Sequence, residues 1–314
     1  MKLKALVAQY VTFRKSLGAS FESNQSLLNT FCRQVGEEID VTDVQAERVD
    51  AFLAGTGPVT SYWHRKYVQL KGLYRYAISR GLVAVSPLPT TVPKLTEPFI
   101  PYIYSRAELR RLFNSTTSHR KHRKLEPHTL RAILVLLYGA GLRVSEAVAL
   151  TLDDVDLAAA LITVRDSKFN KTRIVPLGPD LNQLMVQYEA RRKEAGHCQS
   201  GAAPFFVLRQ GGGVQLKLVQ DTFRRLREYA DVRRADGARY QPRLHDLRHC
   251  FAVHRLTSWY QQGADVQKLL PQLSTYLGHV NIAATQIYLT MTPELLHEAA
   301  VRFERYALKE ESND

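Results

Sequence analysis

The chain has 314 residues, 45% hydrophobic and 23% charged, which suits a globular protein with room for two cores and excludes a disordered or fibrous one. Lys and Arg number 43 against 30 acids, a net charge of +13 that favours a polyanionic partner. No apolar run approaches the roughly 20 residues that span a bilayer, the first residues lack a signal-peptide pattern, and Cys32, Cys198 and Cys250 are too far apart for a disulfide framework or a metal knuckle. A soluble cytoplasmic chain with reduced thiols and no membrane contact is expected.

The amino-terminal part reads as four helices. Leu3, Leu6, Val7, Tyr10, Phe13 and Leu17 recur at helical spacing, and Leu27, Leu28, Phe31 and Val35 mark a second helix. Thr42 with Gln45 predicts a capping box for a third, which carries Val49, Phe52 and Leu53. The fourth runs over about 60–79, with Trp63, Tyr67, Leu70, Tyr74 and Ile78 on one stripe. Its opposite face holds His64, Arg65, Lys66, Lys71 and Arg75, which suits either a phosphate backbone or plain solvation.

Prolines 87, 89, 93, 98 and 101 then exclude a helix and predict a semi-extended linker over 86–104. Residues 1–97 hold 12 Lys/Arg against 8 acids, and the remainder 31 against 22, so both parts could touch one polyanion. Ser105 and Glu108 form the next capping-box pattern. The run His119-Arg120-Lys121-His122-Arg123-Lys124 repels itself and predicts a loop, solvated or on phosphate. A helix is expected near 127–138. Leu161-Ile162-Thr163-Val164 and Arg173-Ile174-Val175-Pro176-Leu177 alternate as a β-hairpin with the basic tip Lys168-Phe169-Asn170-Lys171. Gly211-Gly212-Gly213 lacks the strand–GxGxxG–helix setting and reads as a turn, with no cofactor role. The rest is helical, so the fold class is mainly α with a small β-hairpin (α+β).

Four clusters in the second part carry chemistry: Gly139-Ala140-Gly141-Leu142-Arg143-Val144-Ser145-Glu146, Lys168 at the hairpin turn, His245-Asp246-Leu247-Arg248-His249, and Leu277-Gly278-His279 with Tyr288 nine residues later. Each alone fits an ordinary structural residue. Together, two arginines, a lysine, two histidines and a tyrosine could surround one phosphodiester. Arginine forks pair with phosphate oxygens, preorganised donors stabilise the charge that grows in the transition state, and a lysine among cations can protonate a leaving oxygen. A tyrosine hydroxyl becomes a nucleophile if cations and a base help it to ionise.

These clusters resemble the tyrosine recombinase (phage integrase) family in residue type, order and spacing, over roughly 105–305. The resemblance implies a SAM-like core-DNA-binding domain over 1–85, a catalytic domain over 105–309 and a tail over 310–314. It implies that Tyr288 attacks the scissile phosphate to form a 3′-phosphotyrosyl link. Arg143 and Arg248 would clamp the phosphate oxygens, His279 would bond to the phosphate, Lys168 would protonate the 5′-oxygen, and His245 would act in acid–base transfer at the tyrosine. Glu146 would orient its neighbours, and Lys171 is the rival to Lys168. His249 and His254 read as structural. Contacts with DNA are expected from Arg65, Lys66, Lys71, Arg75, Arg120, Lys121, Arg123, Lys124 and Lys171.

The family also implies double-stranded DNA with inverted-repeat core sites, a homotetramer on paired sites and a nucleoid location; nothing in the clusters resembles a metal site, so no metal or cofactor is expected. The helical unit begins almost at Met1, so no arm-binding domain is expected ahead of it. The 31 residues from Arg248 to His279 exceed the spacing of compact members and predict a longer helix or loop near 259–262 and 270–272. After Tyr288, Thr292-Pro293 starts a helix whose stripe of Leu295, Leu296, Ala299, Phe303 and Tyr306 packs on its own domain or is donated to a neighbour. A type IB topoisomerase or a silent DNA-binding accessory protein remain alternatives.

Overall fold

The computed structural model describes residues 1–314 except 20, 56–58, 95–99, 119–123, 168–170, 239, 280, 291–292 and 311–314. The chain divides into two compact units, Met1–Phe99 and Ile100–Asp314.

The first unit contains α1 (Leu3–Ser16), α2 (Glu22–Val35), α3 (Ala46–Ala54) and α4 (Ser61–Ser79). Its core joins Leu3, Leu6, Leu28, Phe31, Leu53, Leu70 and Tyr74, each burial contributing about 1.5–3 kcal/mol relative to exposure. Thr60 caps α4 by accepting a hydrogen bond from Tyr62 N.

Three details differ from the sequence reading. The buried face of α1 uses Leu3, Leu6, Val7, Tyr10 and Val11, so a 3.6-residue period next reaches Arg14, whose guanidinium lies over Phe21; Phe13 and Leu17 fall outside it and are exposed. Thr42 makes no capping box, because Val41–Asp43 forms a separate 3-10 turn and α3 starts after Gln45 without a side-chain cap. On α4 the buried positions are 63, 66, 70, 73, 74 and 77, which places Lys66 on the core stripe and leaves Ile78 exposed. Lys66 is buried, donates to Phe52 O at 2.6 Å, and sits over the rings of Phe52 and Tyr62. Burial pushes its pKa down. It holds the carboxyl end of α3 and does not belong to the basic face, whereas Arg65, Lys71 and Arg75 are exposed.

The second unit is mostly helical with one small sheet. It begins with α5 (Arg106–Ser118), where Ser105 and Glu108 satisfy each other's backbone amides as expected. Then come α6 (Pro127–Gly139) and α7 (Val144–Ala149). The sheet is β1 (Val155–Asp156), β2 (Leu161–Ser167) and β3 (Lys171–Pro176), antiparallel in the order β1-β2-β3. The short β1 adds an unanticipated third strand through Val155 opposite Ile162. Ile162, Val164 and Val175 face the core and Ile174 faces solvent. Helices α8 (Pro179–Glu194), α9 (Leu216–Tyr229), α10 (Asp246–Gln261), α11 (Val266–Leu277), α12 (Ala283–Gln286) and α13 (Pro293–Glu310) follow. The long stretch from Arg248 to His279 is taken up by α10 and α11 with a short turn between them. Phe251, Leu256, Leu273, Leu277, Tyr288 and Leu295 share one buried cluster, which ties α10, α11 and α13 to the segment carrying the tyrosine.

Candidate active site

Gly141 follows α6 at φ +60°, and a Cβ there would lie 2.5 Å from Phe251 and 3.0 Å from Leu277. Only glycine lets this turn close against α10 and α11. The turn delivers Arg143 to the amino end of α7, where Glu146 accepts from Arg143 N at 2.9 Å and from its guanidinium at 2.6 Å.

Glu146 is also gripped from β3. Arg173 donates to its two carboxylate oxygens at 3.0 and 2.8 Å, and to Tyr276 O at 3.0 Å. Burial alone would raise the Glu146 carboxyl; hydrogen bonds from Arg173 and Arg143 outweigh it and hold the pKa at about 2. The hairpin, α7 and the end of α11 are therefore joined through one carboxylate.

Helix α11 ends at Gly278, which is left-handed at φ +67°. Its last carbonyls point at the arginines. Arg143 donates to Gly278 O at 3.1 Å, and Arg248 donates to Gly141 O and Leu277 O, both at 2.6 Å. Arg248 is 2% exposed, and burial, then Arg143, lowers its pKa to about 10, which leaves it charged at neutral pH. The negative end of the helix dipole offsets the repulsion between the two cations.

His279 Nδ1 lies 2.7 Å from Thr285 Oγ1, which orients the ring. Its pKa falls to about 4, through burial first and then Arg248 and Arg143. Tyr288 sits in a 3-10 turn after α12 and is 2% exposed. Burial raises its pKa, and Arg248 and Arg143 partly oppose this. Its ring lies 6.1 Å from that of His279. His249 Nδ1 stands 3.2 Å from the Tyr288 hydroxyl. Burial, then His245, Arg243 and Arg248, lower the His249 pKa to about 3. His245 is exposed at the amino end of α10, and among the described residues it makes no hydrogen bond to Tyr288.

Arg143, Glu146, Arg248, His279 and Tyr288 are thus gathered in one place, with His245 beside them through its ring contact with His249. Lys168, Arg120, Lys121 and Arg123 lie outside the described residues, as does the Lys171 side chain. Lys124 is exposed, and its carbonyl accepts from Arg209 N. The sequence reading missed Arg173 and assigned His249 to structure alone. His249 could have been found: it lies four residues after His245 and hence on the same helical face. Arg173 could not, because an arginine in an alternating strand is ordinary.

Residues 105–294 match the phage integrase family. The chain belongs to that family. This places it among the tyrosine site-specific recombinases, enzymes of DNA recombination. The integrase/recombinase candidate y4rB of Sinorhizobium fredii is 35% identical over 308 residues, covering 95% of this chain and 96% of that protein. The tyrosine recombinase XerC of Chlorobaculum tepidum is 32% identical over 279 residues, covering 84% and 78%. The integrase of transposon Tn1549, solved with a circular intermediate DNA, has the same fold, with a TM-score of 0.71, 18% identity, and 98% and 99% of the two chains covered. Among the described residues, no helix of this recombinase is long and apolar enough to cross a membrane.

Proposed function

We propose that this recombinase cuts and rejoins duplex DNA through Tyr288, whose oxygen displaces a 5′-oxygen and holds the 3′-phosphate as a phosphotyrosyl ester. The observation that carries the reading is the convergence of two buried-anchored guanidiniums, a neutral imidazole and a tyrosine. Arg143 and Arg248 are held by the carbonyls of Gly278 and Leu277, next to Tyr288 and His279. A phosphate entering there meets two planar donors without reorganising them. His279 donates to the phosphate through the nitrogen not turned to Thr285. His245 acts in acid–base transfer at the tyrosine. Lys168 protonates the departing 5′-oxygen. Glu146 positions Arg143. The bond energy stays in the ester, so the reaction calls for neither a nucleotide nor a metal.

The substrate is double-stranded DNA with inverted-repeat core sites, and four protomers hold two of them during integration, excision or transposition of a mobile element. The net charge of +13 supports such a partner. The 1–85 part grips the core site, the Pro-rich stretch over 86–104 links it to the catalytic part over 105–309, and the cell's nucleoid is where the enzyme works. Helix α13 packs on its own chain through buried Leu295 but leaves Leu296 and Phe303 exposed, Phe303 at 73%. That free apolar face suits exchange between protomers. Phe303→Ser should leave single-site binding intact and abolish assembly on paired sites; unchanged assembly in gel-shift or scattering measurements would remove the exchange.

Covalent trapping tests the chemistry. Nicked suicide duplexes from the chain's own genomic flanks, without metal, should yield a denaturation-resistant protein–DNA species with the wild type and none with Tyr288→Phe. An equal yield from both proteins would refute the assignment.

A further inference from the structure

The second unit opens with a strap of irregular backbone over 100–104, tied to α10 and to the loop before it. Cys250 on α10 fixes the strap at two points: Tyr104 N donates to its Sγ at 3.0 Å, and the thiol donates to Tyr102 O at 3.7 Å. Arg234 holds the beginning of the strap, donating to Ile100 O at 2.9 Å with its guanidinium over the Tyr102 ring. Ile103 packs against both the main core of the unit and the cluster that contains Tyr288.

Tyr104 reaches further than the rest of the strap. Its side chain is fully buried, and its hydroxyl donates to Arg243 O at 2.9 Å. That carbonyl lies two residues before His245, in the turn that leads into α10. The same turn has two other ties. Arg227 on α9 donates to Pro242 O at 2.9 Å, and Asp246 accepts from Arg243 N at 2.8 Å. His245 is the residue that caps the amino end of α10, but its side chain makes no capping bond. Its direction is therefore set by the turn behind it, and its ring packs on His249, which stands by the Tyr288 hydroxyl. Burial, then Asp246 and Cys250, raise the Tyr104 pKa well above that of a free phenol, so the hydroxyl keeps its proton to donate. An interior carbonyl that loses its donor turns towards another partner, and the residues next to it turn with it.

We infer that Tyr104 is a positioning residue for His245: its hydroxyl fixes the turn that aims the imidazole at the reacting tyrosine. The inference rests on the reading of His245 in acid–base transfer at Tyr288. Tyr104 touches neither DNA nor the tyrosine, and it acts through Arg243 O alone. The strap thereby does more than join the two parts of the chain, because its last residue sets the start of the helix that carries His245 and Arg248.

The test uses the full chain on a nicked suicide duplex, with duplex affinity and the first-order rate of covalent attachment measured separately. Tyr104→Phe removes one oxygen. It should slow attachment about tenfold or more, the effect of a displaced group, and leave affinity unchanged. Tyr102→Phe is the control. It deletes a phenol hydroxyl from the same strap, but one that donates to Glu108 Oε1 on α5 at 2.7 Å. It should keep the wild-type rate even where it lowers stability. In a His245→Ala background, Tyr104→Phe should cost less than about twofold, because no imidazole is left to aim. If Tyr104→Phe does not fold, Arg227→Met, which frees the adjacent Pro242 carbonyl, is measured in its place with the same expectations. A Tyr104→Phe rate within about twofold of wild type, an equal slowing by Tyr102→Phe, or a slowing that persists in full beside His245→Ala overturns the inference. A His245→Ala rate equal to that of wild type would instead overturn the reading of His245 and the inference with it, so the two failures are read from different variants.

Discussion

Glu146 receives four hydrogen bonds, two from Arg143 and two from Arg173. With its partners 25% and 10% exposed and its own side chain 7% exposed, it is the most protected ion pair of the site. Removing one partner of such a pair leaves a buried charge underpaired. Arg173→Ala should cost about 3 kcal/mol in chemical denaturation of the full chain and slow covalent attachment by releasing Arg143. The double variant with Glu146→Ala should cost less than the sum of the single ones. A loss under about 1 kcal/mol would mean that water replaces Arg173. Gly141 is the other sensitive residue. Its φ of +60° and the 2.5 Å approach to Phe251 predict that Gly141→Ala destabilises by roughly 1–3 kcal/mol, which thermal unfolding would register.

At the level of elements, α10 and the end of α11 hold imidazoles that burial keeps neutral. His249 stands at about 3 and His279 at about 4, against 6.5 for the unperturbed ring. Between those values the unfolded chain binds protons that the folded chain does not. Stability contributed by the neutral rings is present above pH 6.5 and is lost as pH falls towards 4. Glu146, held at about 2, contributes its loss at lower pH, below the 4.5 of a free carboxyl. Melting temperature should therefore drop on acidification from pH 7 to about 4, and His249→Gln should flatten part of the drop. A second element-scale expectation concerns α12 and the turn after it. Tyr288 is 2% exposed, so the proposed attack requires this segment to shift. Amide exchange over 283–290 should change on binding of a core-site duplex, and identical exchange with and without DNA would argue against such a shift.

Across the whole molecule, the excess of 13 positive charges predicts steep salt dependence of DNA binding. Each phosphate contact contributes about 0.9 to the slope of log K against log salt. Lys71→Ala with Arg75→Ala should lower that slope by about 2 if both side chains meet phosphates. Lys66→Met should leave it unchanged, because that ammonium is spent on Phe52 O inside the first unit. A flat salt response of the wild type would remove the polyanion from the picture.

Residue types and their spacing were enough to point to the family, and the structure brings Arg143, Arg248, His279 and Tyr288 of those clusters together. Helix existence was equally legible, since amphipathic spacing at 3.6 residues is a local property. The rest depended on what stands across from a residue. Lys66 looked like one more cation on a basic face until the phase of α4 turned it towards α3. Arg173 looked like a strand residue until β3 was laid against the end of α11. The contact of His249 Nδ1 with the Tyr288 hydroxyl at 3.2 Å, 39 residues further on, had no local signal. Each of these assignments turns on a contact between elements distant in the chain, which packing sets and local sequence periodicity does not encode.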